Sequence, residues 1–305
     1  MQREVYVLKK LFFAAAIFIS AILCSCNYGL PPFLFGEEDV ESRATRALVL
    51  SGKNLPQVGS DSKYSFIVFT DSHFGDEKYD RREEAFLQKF TELLNNSDPA
   101  LRPRFIVNVG DTFDGGHSSE ADLFTATAAR WIETAKDVLG VDDYKVYSIL
   151  GNHDLYNNGW ENWRLKIYPH TSYYTFTLSA GGSNAFDFWF LDTGNGTLGA
   201  EQIEDLERNL AVSARPKIVF MHYPLYAGGL FYFTLDDVEE RNRLISDFSR
   251  SNVKYIFEGH THSSHDFDFG PFREAVVGAY LAEKVFGLVT VDETTGSVHF
   301  ARLGY

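Results

Sequence analysis

Cysteine is almost absent from this sequence. Its only two cysteines, Cys24 and Cys26, lie near the start of the chain. The chain after Cys26 can therefore form no disulfide bond and no thiolate metal site. Its stability has to come from a hydrophobic core, and the roughly 245 residues from Asp61 onward are enough to bury one. We expect one large domain over residues 61–305.

Positive charge is scarce as well. The chain has 28 lysines and arginines against 42 aspartates and glutamates, a net charge of -14. An acidic surface repels polyanions, so we expect no nucleic acid polymer as a partner. A small phosphate ester would need local positive charge, which bound metal ions can supply.

Three motifs of phosphate and acyl chemistry are also missing. The sequence has no glycine-rich nucleotide loop, no G-x-S-x-G elbow and no basic cluster for a polyphosphate chain. These absences argue against a kinase and against a serine hydrolase.

The first 26 residues have the layout of a secretory signal. Arg3, Lys9 and Lys10 precede an uncharged apolar run, Leu11–Leu23. This run is shorter than the roughly 20 residues needed to cross a bilayer, so an export signal is favoured over a permanent transmembrane helix.

The segment ends in Leu23, Cys24, Ser25 and Cys26, which resembles a bacterial lipobox. The resemblance implies that Cys26 is lipidated and that the protein is exported and anchored to a bacterial membrane. The alternative is that both cysteines are ordinary residues of a discarded peptide. Residues 27–60 have the composition of a tether, although Phe33–Phe35 and Ala47–Leu50 can instead pack on the domain as an extra strand.

From Tyr64 onward, short apolar runs alternate with longer amphipathic runs. This alternation predicts an α/β domain with a mainly parallel sheet that helices cover on both sides. The first half has predicted strands at 66–69, 105–109 and 146–150, and helices at 82–94 and 123–139 capped by Ser118 and Ser119. The second half has predicted strands at 173–178, 186–191, 218–221, 255–257, 275–277 and 285–291, and helices at 201–210 and 236–250.

Five of the predicted strands end in residues of the types that bind metal ions. In an open α/β sheet, ligands bind outside the carboxyl ends of the strands, so these clusters are expected to share one edge. A lone Asp there is usually a helix cap, and a lone His is usually a packed or surface residue. Five clusters in the same position indicate a site. They are Asp71-Ser72-His73, Asp111 with Asp114, Asn152-His153-Asp154, His222, and His260 with His262.

In order, these clusters resemble the motifs of the calcineurin-like metallophosphoesterases: D-x-H, G-D-x-x-D, G-N-H-D/E, a later H, and G-H-x-H. The resemblance runs from residue 71 to 262. It implies a four-layer α/β/β/α sandwich with two mixed sheets. It also implies a two-metal phosphoesterase.

The resemblance implies a role for each residue in these motifs. One metal ion would be bound by Asp71, His73 and His262. The other would be bound by Asn152, His222 and His260, and Asp111 would bridge the two. Such mixed nitrogen and oxygen ligands suit Fe, Mn, Zn or Co, and the sequence does not choose among them.

The same resemblance implies that a water or hydroxide bridging the two metal ions attacks the phosphate ester. His153 would act as general acid for the leaving group, and Asp114 would accept a hydrogen bond from it. For Asp114 the alternative is a plain helix cap. Asp154 is expected to be structural.

The expected substrate is a phosphate mono- or diester. Two alternatives stay open: a nucleotide or phospholipid head group as substrate, or a lipoprotein that binds without catalysis. Two aromatic segments, 155–163 and 223–233, either form a wall for an apolar leaving group or simply pack the domain. If they form a wall, Trp160, Tyr223 and Phe231 would contact the substrate.

Overall fold

Two β-sheets packed face to face form the centre of the protein, and helices cover both outer faces. The structure is a computed structural model that describes residues 38–76 and 82–305. Its strands are β1 Leu48–Val49, β2 Lys63–Phe69, β3 Pro103–Asn108, β4 Val146–Ser148, β5 Tyr174–Leu178, β6 Phe186–Phe190, β7 Lys217–Phe220, β8 Val253–Glu258, β9 His265–Asp268, β10 Arg273–Val276, β11 Val285–Asp292 and β12 Ser297–Gly304. Its α-helices are α1 Val40–Arg43, α2 Arg82–Leu94, α3 Ser118–Leu139, α4 Gly159–Lys166, α5 Ala200–Leu210 and α6 Val238–Arg250.

Both sheets are mixed. The five-stranded sheet has the order β12-β11-β2-β3-β4, in which β2, β3 and β4 are parallel and β11 is antiparallel to β2. The seven-stranded sheet has the order β1-β5-β6-β7-β8-β10-β9, in which β6, β7, β8 and β10 are parallel. The parallel strands carry the predicted site, and the antiparallel strands lie toward the sheet edges.

The alternation of side chains along β2 shows how the layers form. Phe66 and Val68 face the core between the two sheets, whereas Ile67 and Phe69 face the core beneath α2 and α3. Successive side chains of a strand point to opposite faces, so a strand that is apolar throughout must be covered on both. A third core packs α5 and α6 on the seven-stranded sheet. The four-layer α/β/β/α sandwich is therefore confirmed.

The described part of the predicted tether packs on the domain. Leu48–Val49 pairs in parallel with β5, so the extra-strand alternative holds for this stretch. Val40 and Ala44 are buried in the core beside α5. Phe33–Phe35, the predicted signal and Cys26 lie outside the described residues. Within residues 38–76 and 82–305, no helix has both the length and the apolar composition needed to cross a membrane.

The sequence interpretation missed some elements and misplaced one cap. It did not predict α4, β9 or β12, and β12 is mostly half-exposed at a sheet edge, which weakens its apolar pattern. Helix α3 begins at Ser118 rather than 123. Its N-cap is His117, whose backbone N–H donates to the Glu120 carboxylate at 2.9 Å, so the two predicted serine caps are wrong.

Candidate metal centre

The carboxyl ends of β2, β3, β4, β7 and β8 meet at one edge of the sandwich. The first three strands belong to one sheet and the last two to the other, and the side chains that follow them point into a shared cleft. The structure thus brings the predicted ligand residues together. Three overlapping groups have ligand atoms within 4.8 Å of one another: two consist of predicted ligands, and the third joins His73 to the predicted catalytic residues Asp114 and His153.

One half of the cleft is formed by Asp71, His73, Asp111 and His262. The Nε2 atoms of His73 and His262 are 3.0 Å apart, and His262 Nε2 is 3.4 Å from an Asp71 oxygen. Asp111 Oδ2 lies 3.9 Å from His73 Nε2. Asp71, His73 and Asp111 are buried, whereas His262 is exposed, so two carboxylates and one imidazole converge beneath an imidazole that reaches solvent.

The other half is formed by His222, His260 and Asn152, again with Asp111. His222 Nε2 lies 3.2 Å from Asp111 Oδ2, the same oxygen that faces His73. Asn152 Oδ1 lies 3.0 Å from His260 Nδ1. One carboxylate oxygen therefore stands between the two halves, as expected for a bridging ligand.

The backbone of this cleft is strained. Five of the seven candidate ligands have φ between 41° and 68°, the left-handed region that side chains disfavour: Asp71, His73, Asp111, His260 and His262. Each such residue costs on the order of 1–3 kcal/mol, which the surrounding structure must offset. Strain at so many neighbouring positions marks a site kept for function.

Glycines let the strand ends approach one another. A Cβ on Gly151 would lie 2.2 Å from Asp111 Oδ1, and one on Gly259 would lie 2.0 Å from Thr70 Oγ1. Gly110 has φ of +90°, and its Cβ would lie 2.7 Å from His222 Nδ1. Gly110 is required for its positive φ and for close contact, whereas Gly151 and Gly259 are required for close contact alone.

Gly110→Ala is expected to lower kcat/KM for a phosphate ester by roughly 10²-fold, because the new methyl group displaces His222 and misplacement by about 1 Å has that effect. Gly140→Ala is the matched control, since Gly140 also has positive φ but nothing within 4 Å of the added Cβ. It should cost only about 1 kcal/mol of stability. Steady-state kinetics and thermal melts of both variants measure these effects. If the two variants have the same kcat/KM, the steric argument is refuted.

His153 lies at the junction of the two halves. Its backbone N–H donates to Asp111 Oδ1 at 2.8 Å, and its ring lies edge-on to His73 at 4.5 Å. Its Nδ1 donates to the backbone carbonyl of Asp114 at 2.7 Å. Asp114 thus accepts a bond from His153 as predicted, but through its backbone carbonyl, whereas its carboxylate lies 3.4 Å from His73 Nδ1.

Electrostatics differ between the histidines. Burial lowers the pKa of His73 to about 4 and that of His260 to about 3, so both rings are neutral near pH 7. Burial opposes protonation of His222 too, but the Asp111 carboxylate outweighs it and raises the pKa of His222 to about 9. Burial is likewise outweighed at His153, whose pKa is raised by Asp111 and by the bond to the Asp114 carbonyl. The cleft therefore favours positive charge beside Asp111.

These residues fit metal ions. His222 donates from Nδ1 to the Val109 carbonyl at 2.8 Å, which fixes the ring and leaves Nε2 facing the cleft. That buried Nε2 lies 3.2 Å from Asp111 Oδ2, beside the other candidate ligands. Imidazole, carboxylate and amide donors together suit transition-metal cations.

Several supporting residues escaped the sequence interpretation or were only partly foreseen. Asp154 is buried and accepts the backbone N–H groups of Gly151 and Phe113, so its predicted structural role is consistent with its contacts. The Asn152 amide donates to the Tyr156 hydroxyl at 3.1 Å. Thr193 Oγ1 accepts the backbone N–H of His222 at 3.0 Å. The contacts of Asp154 with Phe113 and of Thr193 with His222 join segments far apart in the chain, so no local sequence pattern predicts them.

A pair of buried glutamates also went unpredicted. Glu274 accepts the backbone N–H groups of Tyr226 and Ala227 at 2.9 Å each, and Glu258 accepts that of Leu225 at 3.3 Å. Burial raises the pKa of both carboxyl groups. The pair holds the beginning of the second aromatic segment against the sheet.

The aromatic residues proposed as substrate contacts lie in different settings. Tyr223 stacks on His260 with ring centroids 3.9 Å apart, so it lines the cleft. Phe231 is exposed and packs on Tyr226. Trp160 stacks on the buried Trp163, which matches the packing alternative. The wall alternative therefore has support at Tyr223, whereas Trp160 packs the domain.

The residues of this cleft lie within a stretch of sequence that matches a known family. A family model described as calcineurin-like phosphoesterase matches residues 64–264. The chain belongs to the calcineurin-like phosphoesterase family. It is accordingly a phosphoesterase, of a family that depends on two metal ions and acts on small phosphate esters. A search of curated protein sequences gave no match.

Solved structures with this fold come from distant organisms. A dimetal phosphatase from Danio rerio has a TM-score of 0.51 at 14% identity, and the match covers 79% of this chain and 99% of that one. Purple acid phosphatase PPD1 from yellow lupin has a TM-score of 0.54 at 14% identity, covering 81% and 52%. GAP50, the anchor in the inner membrane complex of Plasmodium, has a TM-score of 0.54 at 15% identity, covering 79% and 89%. At these identities the likeness shows the shared fold.

Proposed function

We propose that this phosphoesterase hydrolyses phosphate mono- or diesters with a pair of metal ions of Fe, Mn, Zn or Co. Asp71, His73 and His262 would hold one ion, and Asn152, His222 and His260 the other. One observation carries the proposal: a single oxygen of buried Asp111 lies within 4 Å of both His73 and His222. That placement suits a carboxylate shared by two cations.

The chemistry divides between the ions and the protein. When bound, a metal pair lowers the pKa of water toward neutrality and neutralises the oxygens of the ester under attack. The protein contributes a proton for the leaving group from Nε2 of His153. The Asp114 carbonyl holds Nδ1 of that ring, which leaves Nε2 as the nitrogen that can face a substrate.

Location is part of the proposal. The apolar run Leu11–Leu23 and the lipobox-like segment ending at Cys26 support export and lipid anchoring on a bacterial membrane. Two alternatives from the sequence remain. One is a nucleotide or phospholipid head group as substrate, and the other is a binding protein without catalysis. GAP50, described as an anchor, has the same fold, but the complete set of candidate ligands here favours catalysis.

Metal reconstitution tests the function. Metal-free protein is loaded with Mn, Fe or Zn and offered aryl phosphate mono- and diesters. We expect the protein to hydrolyse at least one of these esters, and to do so only with two metal ions bound per chain. If the protein binds the ions and stays inactive toward both ester classes, the binding-protein alternative is the better account.

A further inference from the structure

One loop beside the metal centre exposes a run of apolar side chains. Among the residues that the structure describes, Leu230, Phe231 and Tyr232 are three consecutive large hydrophobic residues, exposed by 44%, 58% and 68%. We call Leu230–Tyr232 the apolar loop. Exposed apolar surface of this kind marks a binding surface, because leaving it in water is unfavourable.

The apolar loop adjoins the candidate metal centre. Tyr232 contacts Phe233 with ring centroids 5.5 Å apart, and Phe233 lies 6.1 Å from His260. On its other side, Phe231 packs against Tyr226 at 5.6 Å. The loop therefore stands on the rim of the cleft, within one side chain of a candidate ligand.

Contacts on both flanks hold the loop in this exposed position. The guanidinium of Arg241 lies over the Phe231 ring at 5.6 Å and donates to the Leu235 carbonyl at 3.1 Å. Glu274 holds the backbone of Tyr226 and Ala227, as described above. These contacts hold the apolar loop in place with its side chains exposed to solvent.

The N-terminal described segment attaches at the same edge of the sandwich. Arg43 forms a buried salt bridge to Asp192, just after β6, at 3.0 Å and donates to Asn195 at 2.8 Å. The neighbouring Gly196 accepts the backbone N–H of Asp236 at 3.0 Å. These contacts lead in two steps from the N-terminal segment to the base of the apolar loop.

This attachment limits how the domain can sit on a membrane. Glu38, the first described residue, comes twelve residues after Cys26 in the sequence. Fully extended, a segment of that length spans at most about 40 Å. A lipid on Cys26 would therefore hold the domain within about 40 Å of the bilayer, through an attachment at its metal-centre edge. The net charge of -14 argues against attraction to an anionic surface, so contact depends on the apolar side chains.

We propose that the apolar loop docks on the lipid bilayer that carries the Cys26 anchor, so that the enzyme hydrolyses phosphate esters presented by that bilayer. The substrate class is then a lipid-borne phosphate ester whose head group reaches the cleft from the membrane surface. This inference rests on the proposed hydrolase function and on the proposed anchor.

Fluorescence tests the docking independently of catalysis. In the full chain reconstituted into phosphatidylcholine vesicles, Tyr232→Trp is expected to be quenched when the lipid is brominated. Val212→Trp is the matched control, because Val212 is 80% exposed between α5 and β7, at the opposite edge. Equal quenching of the two variants, or none in either, overturns the docking. Docking is also overturned if the introduced indole is buried against a second copy of the chain. In that case the protein forms dimers and brominated lipid does not quench the fluorescence of the indole.

Kinetics test the substrate class. The double variant Leu230→Ser, Tyr232→Ser should lose roughly tenfold or more in hydrolysis of phosphatidic acid in vesicles, while p-nitrophenyl phosphate in solution is cleaved as before. Val212→Ser should change neither rate.

Equal loss on both substrates assigns the loop to the cleft itself and overturns docking. If the wild type cleaves the aryl ester but not phosphatidic acid, the proposal of a lipid-borne substrate is overturned. Failure on the aryl ester despite bound metal overturns the hydrolase function, and bromolipid quenching still decides docking.

Discussion

Asp111→Asn is expected to remove nearly all phosphoesterase activity, by more than the roughly 10²–10³-fold that loss of one transition-state hydrogen bond costs. The amide keeps the shape of the side chain but loses the charge that faces His73 and His222. Both proposed metal ions share this carboxylate, so the variant should also bind fewer ions. Steady-state kinetics with Mn and metal analysis by mass spectrometry measure the two effects.

Asp205→Asn is a suitable control for this variant. Asp205 is also buried, but it accepts hydrogen bonds from the Tyr173 hydroxyl and the Ala47 backbone, away from the metal centre. It should lower thermal stability and leave metal content and kcat/KM unchanged. An Asp111→Asn protein with two bound ions and wild-type turnover would show that Asp111 does not bridge.

The second large effect is expected from His153→Asn. Loss of the general acid should lower turnover by roughly 10²–10⁴-fold for esters with poor leaving groups, such as alkyl phosphates. Nitrophenolate leaves without protonation, so the hydrolysis of nitrophenyl phosphates should be nearly unaffected. The contact to Asp111 runs through the backbone N–H and survives the substitution, so metal content should not change.

The pH profile gives a second readout for His153. Its pKa is raised, against the effect of burial, by Asp111 and by the Asp114 carbonyl. The proton donor is present below that pKa and is lost as pH rises through it, so activity on alkyl phosphates should fall on the alkaline side. His153→Asn should lack this fall, and the exposed control His170→Asn should keep it. Equal losses on good and poor leaving groups would contradict the acid role.

Much of the fold and site follows from local pattern. The alternation of short apolar runs with longer amphipathic runs places most predicted elements within a few residues of their observed bounds. The five residue clusters were found because each follows a predicted strand and ligands bind outside the carboxyl ends of strands, and the resemblance to the metallophosphoesterases selected the seven candidate ligands among them. Neither inference needs a contact between distant residues.

Other features depend on how loops meet, and local pattern says nothing about them. The bond from His153 goes to the backbone carbonyl of Asp114, 39 residues away along the chain, rather than to its carboxylate. Glu258 and Glu274 come together across β8 and β10, and the packing of Trp160 on Trp163 removes it from the cleft.

The sequence by itself predicted which side chains surround the metal centre, because each cluster follows a predicted strand and ligands bind outside the carboxyl ends of such strands. Only the tertiary structure decided what each side chain does. Hydrogen-bond partners, burial and the exposure of Leu230–Tyr232 are set by segments far apart in the chain, whose approach depends on the packing of the two sheets.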